Sequence, residues 1–461
     1  MAVGQRKTWL GVMGALTVAL LLAACGGAAT ATPTLRPVVV TVYLTGTPAP
    51  VQGATDTPIS VVVASSTATT DPGQPSATPA PVYGPDSYPP GISPLTGQQV
   101  DPALINRMPI AAKISNFPYA VRPQSGLAAA DVVFEHAAEA GVTRFTAVFL
   151  QNSPEYIGSI RSARFIDTEI APMFGAMLVT SGSSLGTMTH LRSSDWFLGD
   201  NIWRLVSEET SYGCPALCRQ QSIYTTTVDT NSLFVYPDVL RQTVAAHTGN
   251  TALPQSGFAF AQAAPAGGVP VDQVTIDYSS AAHVAYRYDT AAGNYIRWQE
   301  EDLTGTLGLH LDALTNQPIT TNNVAVLFVN HQNNFVPEDF RDGGNCGLEI
   351  QLWTIGPAKI FRDGQMYEGL WRRDASTGMK LRLEDGSGQP IPLKPGNTWF
   401  GLVVLTADEG LTGTTYGVTN HVLDTRSVCP IPPTETPTVT PEGFVDPNAT
   451  PEAPATDTPA P

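Results

Sequence analysis

The chain has 461 residues, 42% of them hydrophobic and only 14% charged, with 40 prolines, 41 glycines and a formal net charge of −16. That length is enough for two domains with real cores. A field of this sign repels phosphate backbones unless basic residues are locally concentrated, so nucleic acid is excluded as a partner.

Arg6 and Lys7 precede an apolar run from Trp9 to Leu22, which ends in Leu22-Ala23-Ala24-Cys25-Gly26. The run is too short to span a bilayer and reads as a signal peptide over residues 1–24, with small residues that enter a peptidase groove and a thiol that takes a lipid. Lipidation of Cys25 would make the chain an extracytoplasmic protein anchored to a membrane in the cell envelope, since no later run approaches the roughly 18 apolar residues of a spanning helix. Residues 25–84 and 431–461 are rich in Thr, Pro and Ala. They read as a disordered tether and tail, because they cannot bury enough apolar surface to fold. Without Arg6 and Lys7 the charge is −18; the tail holds five acids and the tether a net −1, which leaves −12 on the body.

Apart from Cys25 there are four cysteines, Cys214, Cys218, Cys346 and Cys429, and four permit three pairings. The expected set joins Cys214 to Cys218 across Cys-Pro-Ala-Leu-Cys and Cys346 to Cys429. A zinc site is the rival, but no compact His/Cys spacing completes one, so no metal is expected. No phosphate loop or dinucleotide glycine pattern is present, and no cofactor is expected.

Within the body, Pro109 to Ser115, Asp131 to His136, Thr143 to Leu150 and Ala176 to Val179 have the Val, Ile and Phe content of short strands. Apolar residues at helical spacing predict a helix from Ser162 to Phe174, another after Ser184, and a third from Asn231 to His247. Beyond residue 270, Val274 to Tyr278, His283 to Tyr288 and Tyr295 to Trp298 alternate as half-buried antiparallel strands do. Asp363-Gly364 and Asp385-Gly386 are hairpin-turn signals. The fold class is therefore α+β: a mixed α/β first domain over residues 85–265, then a β-rich, hairpin-containing second domain over residues 266–430. Trp298, Trp353, Trp371 and Trp399 fall in predicted strands and are expected to pack rather than to form a carbohydrate platform.

The pattern resembles the YerB-like family of bacterial lipoproteins. The resemblance runs through Pro94-Leu95-Thr96-Gly97, Arg122 to Leu127, Ala130-Asp131-Val132-Val133-Phe134-Glu135, Glu139 to Phe145 and Ile157 to Arg164. In the second half it continues through Asn323-Val324, Phe361 to Gly364, Gly369 to Trp371, Asp385-Gly386 and Pro395-Gly396-Asn397-Thr398-Trp399. It implies an envelope lipoprotein with an α/β first domain and a β-rich second one, and it implies no known reaction. Where relatives tend to carry His-Ala-Gly-Gly-Ser, this chain has Thr180-Ser181-Gly182-Ser183-Ser184, and the Cys214 to Cys218 turn looks like a local elaboration.

The densest group of candidate residues is Arg122, Glu135, Glu139, Arg144, Arg161 and Arg164, charges set among strands and turns. One reading is an internal network in which Glu135 and Glu139 satisfy Arg144 and Arg161. A second makes Arg161 and Arg164, with Arg144, Arg122 and Ser183, a site for an anion of a cell-wall polymer or envelope protein, aided by a helix start near Ser162. A third makes Glu135 and Glu139 paired carboxylates, or a serine the nucleophile, of an envelope hydrolase; no Gly-x-Ser-x-Gly elbow surrounds Ser183 or Ser184. Binding rather than turnover is the favoured expectation, with a structural scaffold as a further alternative.

Overall fold

Several strands are buried from end to end, and that burial is why they share one sheet. No residue of Ile110–Ser115, Val132–Ala137, Asn323–Val329 or Thr398–Val404 is exposed, as expected of strands covered on both faces. The structure, a computed structural model, describes residues 37–42, 59–64, 81–220, 231–248, 254–302, 304–339, 345–421 and 429. Cys25, the signal segment and the Thr/Pro-rich tail lie outside the described residues. Within the tether, Pro37–Val42 pairs antiparallel with Ile59–Ala64, regular structure that its composition did not predict.

The central sheet has eleven strands. From one edge it runs Val269–Pro270, Gln365–Arg373, Thr354–Arg362, Asn323–Val329, Thr398–Val404, Val132–Ala137, Thr143–Phe149, Ile110–Ser115, Met177–Val179 and Leu205–Val206, with Arg382–Glu384 beside Gln365–Arg373. The two halves of the body meet inside it, where Trp399 lies opposite Val133 in a parallel pair. Ile110–Ser115, Val132–Ala137, Met177–Val179, Asn323–Val329 and Thr398–Val404 all point the same way, and Thr143–Phe149 points against them.

Alternation along each strand feeds two cores, and both draw on both halves. One contains Ile114, Val133, Val326 and Trp399 and packs against a seven-stranded sheet through Ile276, Tyr278 and Tyr286. The other contains Ala111, Phe134, Leu327 and Phe400 and is covered by the helices Asp167–Met173 and Leu185–Ser193 through Ile170, Met188 and Leu191. Trp371 and Trp399 are buried. Trp298 is half-buried under the Arg287 guanidinium, 4.1 Å from its ring centre, and Trp353 sits in a bend between strands.

Two expected helices change their bounds. The first begins at Asp167, because the chain before it is drawn into neighbouring strand ends: Arg161 N donates to Lys113 O and Ala163 N to Gly182 O. The third is preceded by a strand, Leu233–Val235, and starts at Pro237, where a missing N–H costs nothing. Asp363 and Gly364 turn the hairpin between Thr354–Arg362 and Gln365–Arg373 with φ of 53° and 69°, as a two-residue turn with both central residues left-handed requires. Asp385 also holds a turn, its Oδ1 accepting from Ser387 N and Gln389 N.

Candidate functional site

Strand parity sorts the candidate charges before any contact is measured. Glu135 shares its face with Val133 and points toward the seven-stranded sheet, whereas Lys113, His136, Arg144 and Thr146 share the face covered by helices. The two glutamates therefore belong to different networks. Glu135 pairs with Arg297 at 2.8 Å, both fully buried, and also accepts from Thr143 at 2.9 Å. Arg297 lies 4.7 Å over the Trp399 ring, and although burial opposes its charge, Glu135 outweighs that and holds its pKa up. The expected pairing of Glu135 with Arg144 or Arg161 is thus replaced by a link between the two halves. Arg122 is likewise spent across that seam, donating to Glu300 Oε1 at 2.7 Å and to Asn116, away from the other arginines.

On the helix face lies a group that the sequence reading missed. Lys113 Nζ, fully buried, contacts Asp167 at 2.9 Å, His136 Nε2 at 2.7 Å and Thr146 Oγ1 at 3.0 Å. Burial pushes the Lys113 pKa down to about 8, with Asp167 opposing and Arg144 and Arg164 assisting. His136 is driven well below its ordinary range by burial and by Lys113. The network ties the first residue of helix Asp167–Met173 to three strands. The signal available was a single lysine in an otherwise apolar strand, Ile110-Ala-Ala-Lys-Ile-Ser.

Beside it, at the carboxyl ends of the parallel strands, the remaining candidates converge. Arg164 forms a two-pronged pair with Glu139, Nη2 to Oε2 at 2.5 Å, and its Nη1 lies 3.6 Å from Glu338. Burial opposes ionisation of Glu139, but Arg164 and Arg144 outweigh it and hold the carboxyl below its usual range. For Glu338 burial wins and raises the pKa. Arg144 donates to Ser162 O at 2.7 Å and enters no ion pair among the described residues. Burial lowers its pKa to about 9, with Arg164 and Arg161 adding repulsion and Glu139 and Glu338 countering it. The Arg161 backbone is bonded to Ser181 N, which sets the Thr180 to Ser184 loop against the cluster, and Ser183 Oγ donates to Ser184 O. Ser184 caps helix Leu185–Ser193, and Thr187 donates to Glu338. The expected helix start at Ser162 does not contribute, since the helix there begins five residues later. Glu338, from the long hairpin arm His331–Asp339, was not a sequence candidate.

Cys214 and Cys218 are bridged as expected, and the bridge borders a cleft of 610 Å³ that includes Trp203 and His247. Cys346 and Cys429 are unbridged but adjacent: burial and a hydrogen bond with the Cys346 thiol push Cys429 up to about 12. Among the described residues no group of three or more His, Cys, Asp or Glu could hold a metal ion, and no helix is long and apolar enough to cross a membrane.

Two models of one family match the chain, described as the N-terminal domain of a protein of unknown function (DUF3048), over residues 95–245, and its C-terminal domain, over residues 274–400. A protein of Bacillus subtilis described as "Putative lipoprotein YerB" is 29% identical over 324 residues, 68% of this chain and 86% of the relative. The crystal structure of YerB from Bacillus subtilis is similar with a TM-score of 0.53 and 26% identity, covering 68% of this chain and 96% of that one.

Proposed function

The chain belongs to the DUF3048 family of proteins of unknown function, and from that premise we propose that it is a membrane-tethered lipoprotein of the cell envelope whose body binds an anionic group, a carboxylate or phosphate, at Arg144. The observation that carries the reading is a half-buried guanidinium that enters no ion pair among the described residues, beside two other arginines at the carboxyl ends of parallel strands. A cation held there without full compensation costs stability, and an arriving anion would recover it. Strand carboxyl ends are also where α/β sheets generally place ligands. Arg164 supports rather than contacts the anion, because Glu139 already takes its Nε and Nη2.

The test compares wild type with Arg144→Gln, using inorganic phosphate, acetate and purified cell-wall polymer as probes. Phosphate binding without acetate binding would indicate a phosphate-bearing polymer, and the reverse a carboxylate-bearing one. The variant should bind about tenfold or more weakly, one charge-assisted hydrogen bond, and melt no lower than wild type. Unchanged binding with a lower melting temperature would make Arg144 a structural residue and end the proposal.

A second reading, a protein partner, draws on Leu185 at 85% exposure and Phe335 at 55%, on two elements that pack where Gly186 meets Val336 beside the cluster. Leu185→Ser would then abolish capture of that partner while leaving phosphate and acetate binding intact.

A further inference from the structure

Three of the sequence blocks that carried the family resemblance play no part in the arginine cluster. Thr96 of Pro-Leu-Thr-Gly, Asp131 of Ala-Asp-Val-Val-Phe-Glu and Asn397 of Pro-Gly-Asn-Thr-Trp meet at the opposite end of the sheet, where they line an open cleft of 220 Å³. Asp131 and Asn397 immediately precede the parallel strands Val132–Ala137 and Thr398–Val404, and Asn322 precedes Asn323–Val329. Gln151 and Asn152 follow the antiparallel strand Thr143–Phe149, so they reach the same end. The cleft thus straddles the seam between the two halves.

What faces this space is almost wholly uncharged and polar. Five carboxamides line it: Gln98, Gln151, Asn152, Asn322 and Asn397. Some are spent on the fold, since Asn397 donates to Thr320 O and accepts from Asn322 N. Gln151 bonds Gln98 and Thr96. Others keep spare capacity: the Asn322 side chain has no hydrogen-bond partner among the described residues, and neither does the Thr320 hydroxyl. Asp131 is 1% exposed. Its Oδ2 accepts from Leu150 N at 2.6 Å and Gln151 N at 3.1 Å, yet Oδ1 has only a 3.5 Å contact from Asn152. A buried carboxylate oxygen so poorly served is an acceptor awaiting a donor. Burial lifts its pKa to about 7.

The lining decides the class of ligand by exclusion. It contains no aromatic or long aliphatic side chain, so an apolar molecule would gain nothing by entering. It contains no arginine or lysine, so an anion would lack a counter-charge. Carboxamides each offer a donor and an acceptor at fixed spacing, and a carboxylate only accepts. Neighbouring hydroxyls, each both donor and acceptor, match that array. The volume lies below the ~300–1,000 Å³ of drug-sized sites. We propose that this cleft binds a single neutral sugar ring, as one unit of a glycan. The inference is independent of the Arg144 site and shares no residue with it.

The experiment is saturation-transfer NMR on the full chain with glucose and N-acetylglucosamine as probes, on wild type, Asn322→Ala and Thr320→Ala. Neither replaced side chain bonds within the fold, so both variants should keep the wild-type amide spectrum. Transfer to at least one sugar in wild type, weakened about tenfold by Asn322→Ala or Thr320→Ala, is the expected result. Three outcomes would overturn the proposal: no transfer to either sugar at millimolar concentration, transfer unchanged in both variants, or perturbation of the Asn152 and Asn397 carboxamide signals by ammonium but by neither sugar.

Discussion

The two ends of the central sheet solve the same problem with different chemistry. At the carboxyl ends of the parallel strands, Lys113, Arg164, Glu139, Asp167 and Glu338 are buried and bound to one another, and Arg144 enters no ion pair among the described residues. At the amino ends, uncharged carboxamides close short loops and leave valences turned to solvent. A buried charge needs a specific partner, so the first end is rigidly determined and costly to alter. A carboxamide can satisfy a backbone group locally, so the second end keeps its recognition groups cheap to replace.

Breaking the charged networks should give the largest effects. Glu135→Ala leaves Arg297 buried without its carboxylate and should lower unfolding free energy by about 3–5 kcal/mol, measured by urea denaturation. Glu139→Ala should cost less, about 2–3 kcal/mol, because Glu338 remains near Arg164. A loss under about 1 kcal/mol in both would mean that the pairs do not hold the body together.

Oxidation of the adjacent thiols comes next. Closing Cys346 to Cys429 should raise stability by about 2–4 kcal/mol, and peptide mapping of the protein purified without reductant should find that pair. Two free thiols there would leave only the Cys214–Cys218 bridge.

A pH profile then sharpens the contrast at the amino end. Asp131 has its pKa raised from 3.8 to about 7 on folding, so the folded state binds more protons than the unfolded one between those values. Its contribution to stability is therefore full below pH ~4 and declines as pH rises to about 7. Asp131→Asn should flatten that decline, and a profile identical to wild type would show that Asp131 ionises without cost. The smallest effect is expected from Asn322→Ala, within about 0.5 kcal/mol of wild type, since its side chain has no hydrogen-bond partner among the described residues.

The first half of the sheet was legible because strands covered on both faces must be continuously apolar, as Ile110–Ser115 and Met177–Val179 nearly are. Asp363-Gly364 was legible because only left-handed residues make that turn. The seam was not: Val132–Ala137 and Thr398–Val404 are far apart in sequence, and nothing local in either encodes the other as a neighbour. The proximity of Arg161 and Arg164 could be read from their placement around one turn, but Arg144 joins them from a separate strand. Of their carboxylates only Glu139 could be, because Glu338 arrives on a distant hairpin arm and strand parity sends Glu135 to the other face. The carboxamide cleft could not be assembled from the sequence, although Thr96, Asp131 and Asn397 fall in blocks of the family resemblance, since its residues come from five loops joined only by the sheet.

The proposed anion site rests on Arg144, which enters no ion pair among the described residues. Its most direct test is the Nε–Hε resonance of Arg144, followed by NMR as inorganic phosphate or acetate is added. A saturable shift of Arg144 with one of these anions is expected, while Arg297, paired with Glu135, stays still. No shift of Arg144 with either anion, or a uniform drift of all the arginines, would contradict it.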